Sequence, residues 1–271
     1  MRKVTALLLA LVMCLSLASC GGSSNSAEEQ EAPASAASDL QNVQSKGTLV
    51  VGITDFEPMD YKDENGNWIG FDADLATAFA ESLGVSVEFA EINWDNKILE
   101  LDGGSIDCIW NGMTLTDEVT SAASCSNPYM RNAQVVVLPA DKAEEYADIE
   151  SLAGLTFAVE SGSAGEEAVN ELGYATTPVT AQADALMEVA AGTSDAAVID
   201  LLMAYAMVGE GTSYDNLTYT FTLNEEQYGV AFRQDSDLTD ALNEFFAAQY
   251  ADGSLDALAE QYGLAGSVIP Q

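Results

Sequence analysis

The sequence predicts an α/β fold made of two lobes. Buried strands alternate with amphipathic helices through short joints from Thr48 onward, an order typical of a parallel sheet covered by helices. A second series of the same kind begins at Leu155, and an apolar segment at 228–232 leads into a helical final stretch. The chain is therefore expected to build one lobe, cross to a second and return, and two crossings make a hinge beside a ligand cleft.

Apolar periodicity and turn residues predict the elements of each lobe. In the first lobe they indicate, in order, a strand at 48–53, a turn at 63–67, a helix from 72 to Gly84, a strand at 85–89, a helix at 95–101 and strands at 106–109 and 134–138. In the second lobe they indicate a strand at 155–159, helices at 166–172 and 184–191, and a strand at 196–199. The predicted lobes cover residues 45–137 with 231–271, and residues 138–230.

The segment Asn111-Gly112-Met113-Thr114 stands between the apolar residues 106–109 and an acidic helix start. If the strand ends before this segment, a glycine backbone and a threonine hydroxyl are exposed at its carboxyl end. Open α/β sheets bind small ligands at this edge. We therefore expect the segment to face the cleft.

The first residues predict export. Arg2 and Lys3 precede an apolar run that is too short for a membrane span, and Leu17-Ala18-Ser19-Cys20 closes it, which is the pattern of a secretory signal peptide. The cysteine resembles that of a bacterial lipobox, which implies removal of residues 1–19 and acylation of Cys20; a plain signal with an incidental cysteine is the alternative. Residues 20–44 are rich in Ser, Ala, Glu and Gln and are expected to form a disordered tether.

The composition excludes several functions. The net charge of −36 comes from 8 basic and 44 acidic residues, so nucleic acid and anionic lipid surfaces are excluded as partners on electrostatic grounds. The charge indicates either a solubilising surface or a preference for cationic ligands. Histidine is absent, which removes His-based triads and His metal sites, and we expect neither a metal nor a cofactor.

Beyond the signal segment two cysteines remain, Cys108 and Cys125. An exported protein permits a disulfide between them, and the alternative is a pair of buried small apolar side chains. Their separation along the chain does not decide between these two states.

A series of motifs runs in order along nearly all of the chain after residue 46. The motifs are GTLVVGITDFEPMDY (47–61), GNWIGFDADLATAFAESLG (66–84), GSIDCIWNGMTLTDE (104–118), SNPY (126–129), SLAGLTFAVESGSAG (151–165), AGTSDAAVID (191–200) and YGVAFRQDSDL (228–238). Together they resemble the extracellular solute-binding proteins of polar amino-acid ABC importers.

The resemblance implies a two-lobed, type II periplasmic-binding-protein-like fold with two hinge crossings. It implies a monomer that captures a polar or basic amino acid between its lobes and delivers it to a membrane permease, without enzyme activity. With Cys20 acylated, the protein is expected outside the cytoplasm and anchored to the cell membrane.

In the first lobe the resemblance assigns ligand contacts on two surfaces. Phe56 matches an aromatic that covers the ligand and Trp94 matches an apolar wall, and such rings can stack on an aliphatic or cationic group. Ordinary core packing is the alternative for both. Asn111, Gly112 and Thr114 match the stretch whose backbone and hydroxyl groups bind the α-amino and α-carboxylate groups of the ligand.

In the second lobe the resemblance points to two acids and a loop. Asp200 matches the acid that binds the α-ammonium, a role that suits a partly buried carboxylate; a helix N-cap is the alternative. Glu160 matches a position that faces the ligand side chain, where an acid suits a basic group, although it could equally point to solvent. The loop 160–165, with Ala164, joins a strand to a helix whose first amides can hold an anion.

Val119 departs from the family pattern, which in most members has an arginine there that clamps the α-carboxylate. Three replacements are open. The carboxylate can rest on the amides of 112–114 and the helix start near 163–165, it can meet Arg131 or Lys97, or the ligand can lack a free carboxylate.

Two alternative functions stay open at this point. One is a binder of a cationic small molecule without a free carboxylate, similar to a polyamine. The other is a dehydratase on the same fold, which without histidine would have to use Glu160, Asp200 or Asp55 as its acid or base.

Overall fold

The computed structural model describes residues 38–271. The predicted signal peptide (1–19), the predicted lipidation at Cys20 and the tether up to residue 37 lie outside the described residues. Within this range the helices are Asp39–Lys46 (α1), Phe71–Ser82 (α2), Lys97–Gly103 (α3), Asp117–Ala122 (α4), Ala164–Glu171 (α5), Gln182–Ala191 (α6), Leu201–Met207 (α7), Leu238–Asp252 (α8) and Ser254–Gln261 (α9). The strands are Thr48–Ile53 (β1), Tyr61–Lys62 (β2), Trp68–Ile69 (β3), Ser86–Glu91 (β4), Cys108–Thr114 (β5), Ser124–Cys125 (β6), Met130–Pro139 (β7), Thr156–Glu160 (β8), Ala175–Val179 (β9), Ala196–Asp200 (β10) and Leu217–Phe232 (β11).

One sheet runs through both lobes. Its strand order is β4-β1-β5-β11-β7-β10-β8-β9, with β6 beside β11, and β2 and β3 form a separate hairpin. The strands β4, β1 and β5 are parallel at one end, and β10, β8 and β9 are parallel at the other. Between them β7 and β11 pair antiparallel along most of their length and form the two crossings. The predicted two-lobed α/β fold is confirmed, while the individual lobe boundaries stay predictions.

Buried aromatic side chains pack the helices onto the sheet. Trp110 of β5 meets Phe246 of α8 edge-on at 5.7 Å and Phe79 of α2 at 6.1 Å. In the second lobe Phe157 of β8 stacks on Tyr174 at 5.8 Å. Because α8 follows β11 and covers β5, the last part of the chain completes the first lobe. No helix in the described part of the chain combines the length and the apolar character needed to cross a lipid bilayer.

The tether prediction is wrong at its carboxyl end. Residues 39–46 form α1, with Ser38 as its N-cap, and Val43 is fully buried in the core of the first lobe. Arg233, from the far end of the chain, forms an ion pair with Asp39 at 3.1 Å. Composition missed this helix because one buried valine can dock a two-turn helix whose other faces are polar.

The prediction that the strand ends before Asn111 is also wrong. The strand β5 continues to Thr114 because β11 pairs with it antiparallel, with Tyr228 opposite Thr114. Gly112 takes a φ of 51° near a shift in this register, a conformation that favours glycine. The segment is therefore a paired strand rather than an open loop.

Cys108 and Cys125 are free thiols. Cys108 lies opposite Phe232 and Cys125 lies opposite Ala231, on strands that flank β11 on its two sides. Two strand spacings of about 4.8 Å separate them, which exceeds the Cα distance that a disulfide spans. Because adjacent residues of β11 point to opposite faces, the two thiols also face opposite ways, and the structure excludes the disulfide.

Candidate ligand-binding cleft

A cavity of about 490 Å³ lies between the lobes. Its walls come from β5 and the segment around Trp94 on one side, and from β8, α5 and the end of β10 on the other. All the predicted contact residues line it: Phe56, Trp94, Asn111, Gly112, Thr114, Glu160, Ala164 and Asp200. The structure thus brings the predicted set together, while each residue's contact with a ligand stays a prediction.

Phe56 and Trp94 form the aromatic part of the wall and are also packed against the protein. Phe56 is 2% exposed and meets Tyr228 edge-on at 6.4 Å. A Cβ at Gly112 would stand 2.3 Å from the Phe56 ring, so only glycine lets the ring approach β5 this closely. Trp94 is buried in a cluster that includes Val119. Both aromatic residues therefore pack in the core and line the cavity as well.

The polar groups of Asn111 and Gly112 are committed to partners inside the first lobe. The Asn111 side chain accepts from the amide of Thr54 at 2.9 Å and donates to Asp60 at 2.7 Å. The Gly112 amide donates to Asp72 at 2.6 Å. The Asn111 side chain and the Gly112 amide therefore have partners within the protein, while the ligand contacts expected of this segment stay a prediction.

Asp60 and Asp72 form a buried acid pair that supports β5. Both are fully buried, and Asp72 also accepts from the Tyr129 hydroxyl at 2.8 Å. Burial raises the pKa of Asp72 to about 7, and burial together with the charge of Asp72 raises the pKa of Asp60 well above its usual range. Neither residue lines the cavity, so this pair acts on the shape of its wall.

Asp200 stands at the junction of the lobes beside Glu226 of β11. The side-chain amides of Asn132 and Gln134, both on β7, each donate to Asp200 Oδ1 and to Glu226 Oε1. The Tyr228 hydroxyl adds a hydrogen bond to Asp200 at 2.6 Å. Burial raises the pKa of Asp200, and the neighbouring Glu226 raises it further. The two acids are thus tied together by donors from both crossing strands.

The second carboxyl oxygen of Asp200 keeps acceptor capacity. Oδ2 accepts from the Gln182 amide alone among the described residues, and a carboxylate oxygen has two lone pairs. Asp200 is the N-cap residue of α7 by position, yet its side chain makes no capping hydrogen bond. Instead the Asn132 side chain accepts from the amide of Leu202 at 3.2 Å. Asp200 thus lines the cleft with unused acceptor capacity on its carboxyl group.

Sequence reasoning missed the network around Asp200. Glu226 also accepts from the Thr114 hydroxyl at 2.8 Å, so this predicted ligand donor is engaged as well. A signal for the network exists: Asn132 and Gln134 are polar residues two apart in the otherwise mostly apolar strand β7, and such a pair shares one face. Buried polar side chains need partners, which predicts an acceptor on that face.

Glu160 ends β8 with its carboxyl group in the cavity wall. The side chain is 3% exposed, and Oε1 has no hydrogen-bond partner within the described residues. Burial raises the pKa of Glu160 to about 8, although the Lys97 ammonium and the Gln182 amide act in the opposite direction. The side chain is therefore directed to the cleft rather than to solvent, and a buried carboxyl group needs a cation or donor to offset desolvation.

The loop between β8 and α5 keeps part of its anion-binding capacity. The Gly162 amide donates to Glu166 at 2.8 Å, whereas the amides of Ala164 and Gly165 have no acceptor in the described part of the chain. The loop also touches the first lobe, since a Cβ at Gly162 would stand 2.8 Å from the Cα of Asp95. Glycine at this position lets the two lobes approach.

Val119 is buried in the cavity wall, and the basic residues considered as its replacements are placed differently. Lys97 lines the same cavity, and its Nζ donates to the Gly162 carbonyl at 2.8 Å. Arg131 lines a second cavity, of about 920 Å³, and donates to the Val268 carbonyl at 3.0 Å. Of the two basic candidates, Lys97 is the one in the wall of the cleft.

Acidic residues outnumber basic ones in this wall. Lys97 is the one basic residue among the described residues that line the cavity. The acids that line it are Glu118, Glu160, Glu166, Glu167, Glu171 and Asp200. A cleft lined mainly by one sign of charge concentrates ligands of the opposite sign.

Two lobes joined by a pair of crossing strands, with a charged cavity between them, define a cleft-type binding protein for a small solute. The chain belongs to the bacterial extracellular solute-binding proteins, family 3, which it matches over residues 49–265. The two-lobed α/β fold agrees with this family.

Its relatives include proteins named for arginine and an enzyme. The chain is 28% identical to the arginine-binding extracellular protein ArtP of Bacillus subtilis, over 97% of this chain and 98% of that protein. It is 34% identical to the structure of holo ArgBP from T. maritima, with a TM-score of 0.73 over 82% of this chain and 99% of that one. A shorter match, 28% identical, joins 48% of this chain to 50% of the cyclohexadienyl dehydratase of Pseudomonas aeruginosa.

Proposed function

We propose that this protein captures a cationic amino acid, of the arginine class, between its lobes and delivers it to the permease of an ABC importer. The family and the relatives named for arginine support an amino-acid ligand. The excess of acids in the cavity wall supports a positive charge on it. A cavity of about 490 Å³ lies in the range of small-molecule sites.

Glu160 is the observation that carries the proposal. A guanidinium or ammonium group on the ligand gives Glu160 Oε1 the charge-assisted partner that the described residues do not supply. A nearby cation favours the ionised carboxylate and lowers its pKa. Since burial holds the pKa of Glu160 at about 8, capture of a cation near neutral pH is expected to release a proton.

Capture follows from the two walls of the cleft. The first lobe presents a preformed surface that includes Phe56, Trp94 and the polar segment of β5. The second lobe brings Glu160 toward the ligand's side chain and Asp200 Oδ2 toward its α-ammonium. Closure then takes place about β7 and β11, where the chain crosses between lobes, and the closed form docks on the permease.

The N-terminal sequence supports export and anchoring. We infer cleavage before Cys20, acylation of its thiol, and attachment of a monomer to the outer side of the cell membrane. The extracellular character of the family agrees with this location.

Two other functions are kept as outcomes of the test. A polyamine-like cation without a carboxylate would also suit the acids of the wall. A dehydratase, suggested by the match to the Pseudomonas enzyme, would use Glu160 or Asp200, since Asp55 does not line the cavity.

Calorimetric titration of the full-length protein tests the proposal. L-arginine, L-histidine, L-glutamine, L-cystine and putrescine are titrated near neutral pH in buffers of different ionisation enthalpy. We expect the tightest binding for arginine, with a proton released to the buffer. Binding of none of the amino acids would overturn the proposal, tighter binding of putrescine would favour the polyamine reading, and turnover of a prephenate-like substrate would favour the dehydratase.

A further inference from the structure

Lys97 is a buried cation that no carboxylate of the described residues neutralises. The residue is 9% exposed and lines the cleft. None of the ion pairs within residues 38–271 includes it, so no carboxylate oxygen there lies within 4.0 Å of its Nζ. Burial lowers the pKa of Lys97, and the acids around it, among them Glu118 and Glu160, oppose that shift at longer range. A buried ammonium is costly unless an anion meets it.

The ammonium of Lys97 is held in a fixed place with donor capacity to spare. Nζ donates to the carbonyl of Gly162 at 2.8 Å and, at 3.4 Å, to the carbonyl of Trp94. It also lies 5.1 Å from the centre of the Trp94 ring. An ammonium has three N–H donors, so one is left for a group in the cavity. Because Gly162 belongs to the predicted second lobe, the hydrogen bond from Lys97 to its carbonyl joins the two lobes.

The start of α5 adds an anion donor to the same cavity, which Ala164 lines together with Lys97. The amides of Ala164 and Gly165, which follow Gly162 at the start of α5, have no acceptor among the described residues. The partial positive charge of a helix start favours an anion there. Lys97 and the Ala164 amide are thus positive groups in a wall whose other charged residues are acidic.

Glu160 is a second buried titratable group in the wall of the cleft. Its Oε1 has no hydrogen-bond partner within the described residues, and it makes no ion pair with Lys97. The cleft therefore presents a buried ammonium and a buried carboxyl group that are not ion-paired with each other. A ligand that carries a cation and a carboxylate provides a partner for both groups, with Glu160 ionising as the cation binds. A polycation leaves Lys97 unpaired and repels it.

We propose that Lys97 binds the α-carboxylate of the ligand, so that the cleft selects amino acids over cations of similar shape without a carboxylate. The inference rests on the proposed function, because it requires an amino-acid ligand. Lys97 is then a specificity-determining residue, and it supplies from α3 the positive charge that position 119 does not supply.

L-arginine and agmatine form the matched pair that tests this role, because agmatine is arginine without its carboxylate. Lys97→Met removes the charge and keeps an unbranched apolar stem, and Lys97→Arg keeps the charge. Lys142→Met is the control, since Lys142 is exposed and lines neither cavity. Dissociation constants of both ligands are measured by calorimetry on the full-length proteins, with thermal unfolding as the check on folding.

We expect Lys97→Met to weaken arginine binding about 100-fold and agmatine binding by less than about threefold. Lys97→Arg is expected to keep the preference for arginine, and Lys142→Met to match the wild type. Equal loss of both ligands in Lys97→Met, or unchanged arginine affinity, would overturn the assignment. If Lys97→Met does not fold, loss of the arginine preference in Lys97→Gln supports it and retention overturns it. A wild-type protein that binds no amino acid would overturn the proposed function instead.

Discussion

Two groups of buried acids share a raised pKa but differ in what they face. Asp60 and Asp72 lie inside the first lobe, where they hold β5 and line neither cavity. Glu160 and Asp200 lie at the junction of the lobes and line the cleft. Asp60 Oδ1 lacks a hydrogen-bond partner among the described residues, as Glu160 Oε1 does. Burial and an unpartnered oxygen therefore do not mark a binding site in this molecule, whereas a cavity in front of the carboxyl group does.

The difference also separates two roles within the cleft, namely support of its wall and contact with the ligand. Gly112 lines the cleft, but its amide donates a hydrogen bond to Asp72 and so supports the wall. Glu160 lines the cleft, and its Oε1 has no hydrogen-bond partner among the described residues. The first group should therefore control stability and the second should control affinity.

Among these changes, Asp72→Ala is expected to have the largest effect on stability, because it removes one acid of the buried pair with Asp60. It removes the acceptor of the Gly112 amide and the Tyr129 hydroxyl, so two buried donors lose their partner, and the free energy of unfolding should fall by about 3–5 kcal/mol. Urea denaturation measures the change, with Glu81→Ala on the exposed face of α2 as the control. A fall below about 1 kcal/mol would mean that Asp72 does not support β5.

Glu160→Gln tests the acids that line the cleft. Arginine binding should weaken about 100-fold because the buried cation loses its charged partner. The free energy of unfolding should stay the same or rise, since a neutral amide is cheaper to bury than a carboxyl group. Calorimetry and denaturation are compared with Glu144→Gln, an exposed acid outside both cavities. Lower stability with unchanged affinity would place Glu160 with the structural acids.

The pH dependence of stability gives the smallest expected effect. Glu160 keeps its proton up to about pH 8 when folded but has its usual pKa of 4.5 when unfolded. The folded state thus binds more protons between these values, and stability falls as pH rises through that window. We expect Glu160→Gln to remove about 1–2 kcal/mol of the fall between about pH 6 and 8.

Saturating arginine should remove a similar part of this fall, because a bound cation lowers the pKa of Glu160. Asp72 adds its own fall between 3.8 and about 7, and the ligand should leave that part unchanged. Denaturation across this pH range, with and without arginine, separates the two. Identical curves for the wild type and Glu160→Gln would contradict the assignment.

Elements with a strong local pattern were within reach of the sequence. The strand predicted at 48–53 is β1, and the helix predicted at 184–191 begins two residues earlier, at Gln182. The strand β9 was missed because it is a largely exposed edge strand that contains Pro178. The helix α7 was foreseen only in the alternative that makes Asp200 an N-cap, because nothing in its seven residues separates it from the strand before it.

Membership of the cleft was also predictable, since each predicted contact residue lines the cavity. The free or engaged state of each polar group was not, because it depends on residues far away along the chain. Gly112 meets Asp72, forty positions earlier, and Thr114 meets Glu226 on β11. The same long-range pairing with β11 turns an expected loop into β5. Motifs locate such a site, and tertiary hydrogen bonds decide what it can still bind.

The position of Trp94 gives the cleft its own optical reporter. Among the three tryptophans, Trp110 is buried in the core and Trp68 lies under the ammonium of Lys62 on the hairpin. Trp94 alone of these lines the cavity, 5.1 Å from Lys97 Nζ. Indole emission responds to nearby charge and polarity, so intrinsic fluorescence should follow occupancy of the cleft without any label. The emission wavelength and intensity of Trp94 would then report whether an anion is bound to the neighbouring Lys97 ammonium.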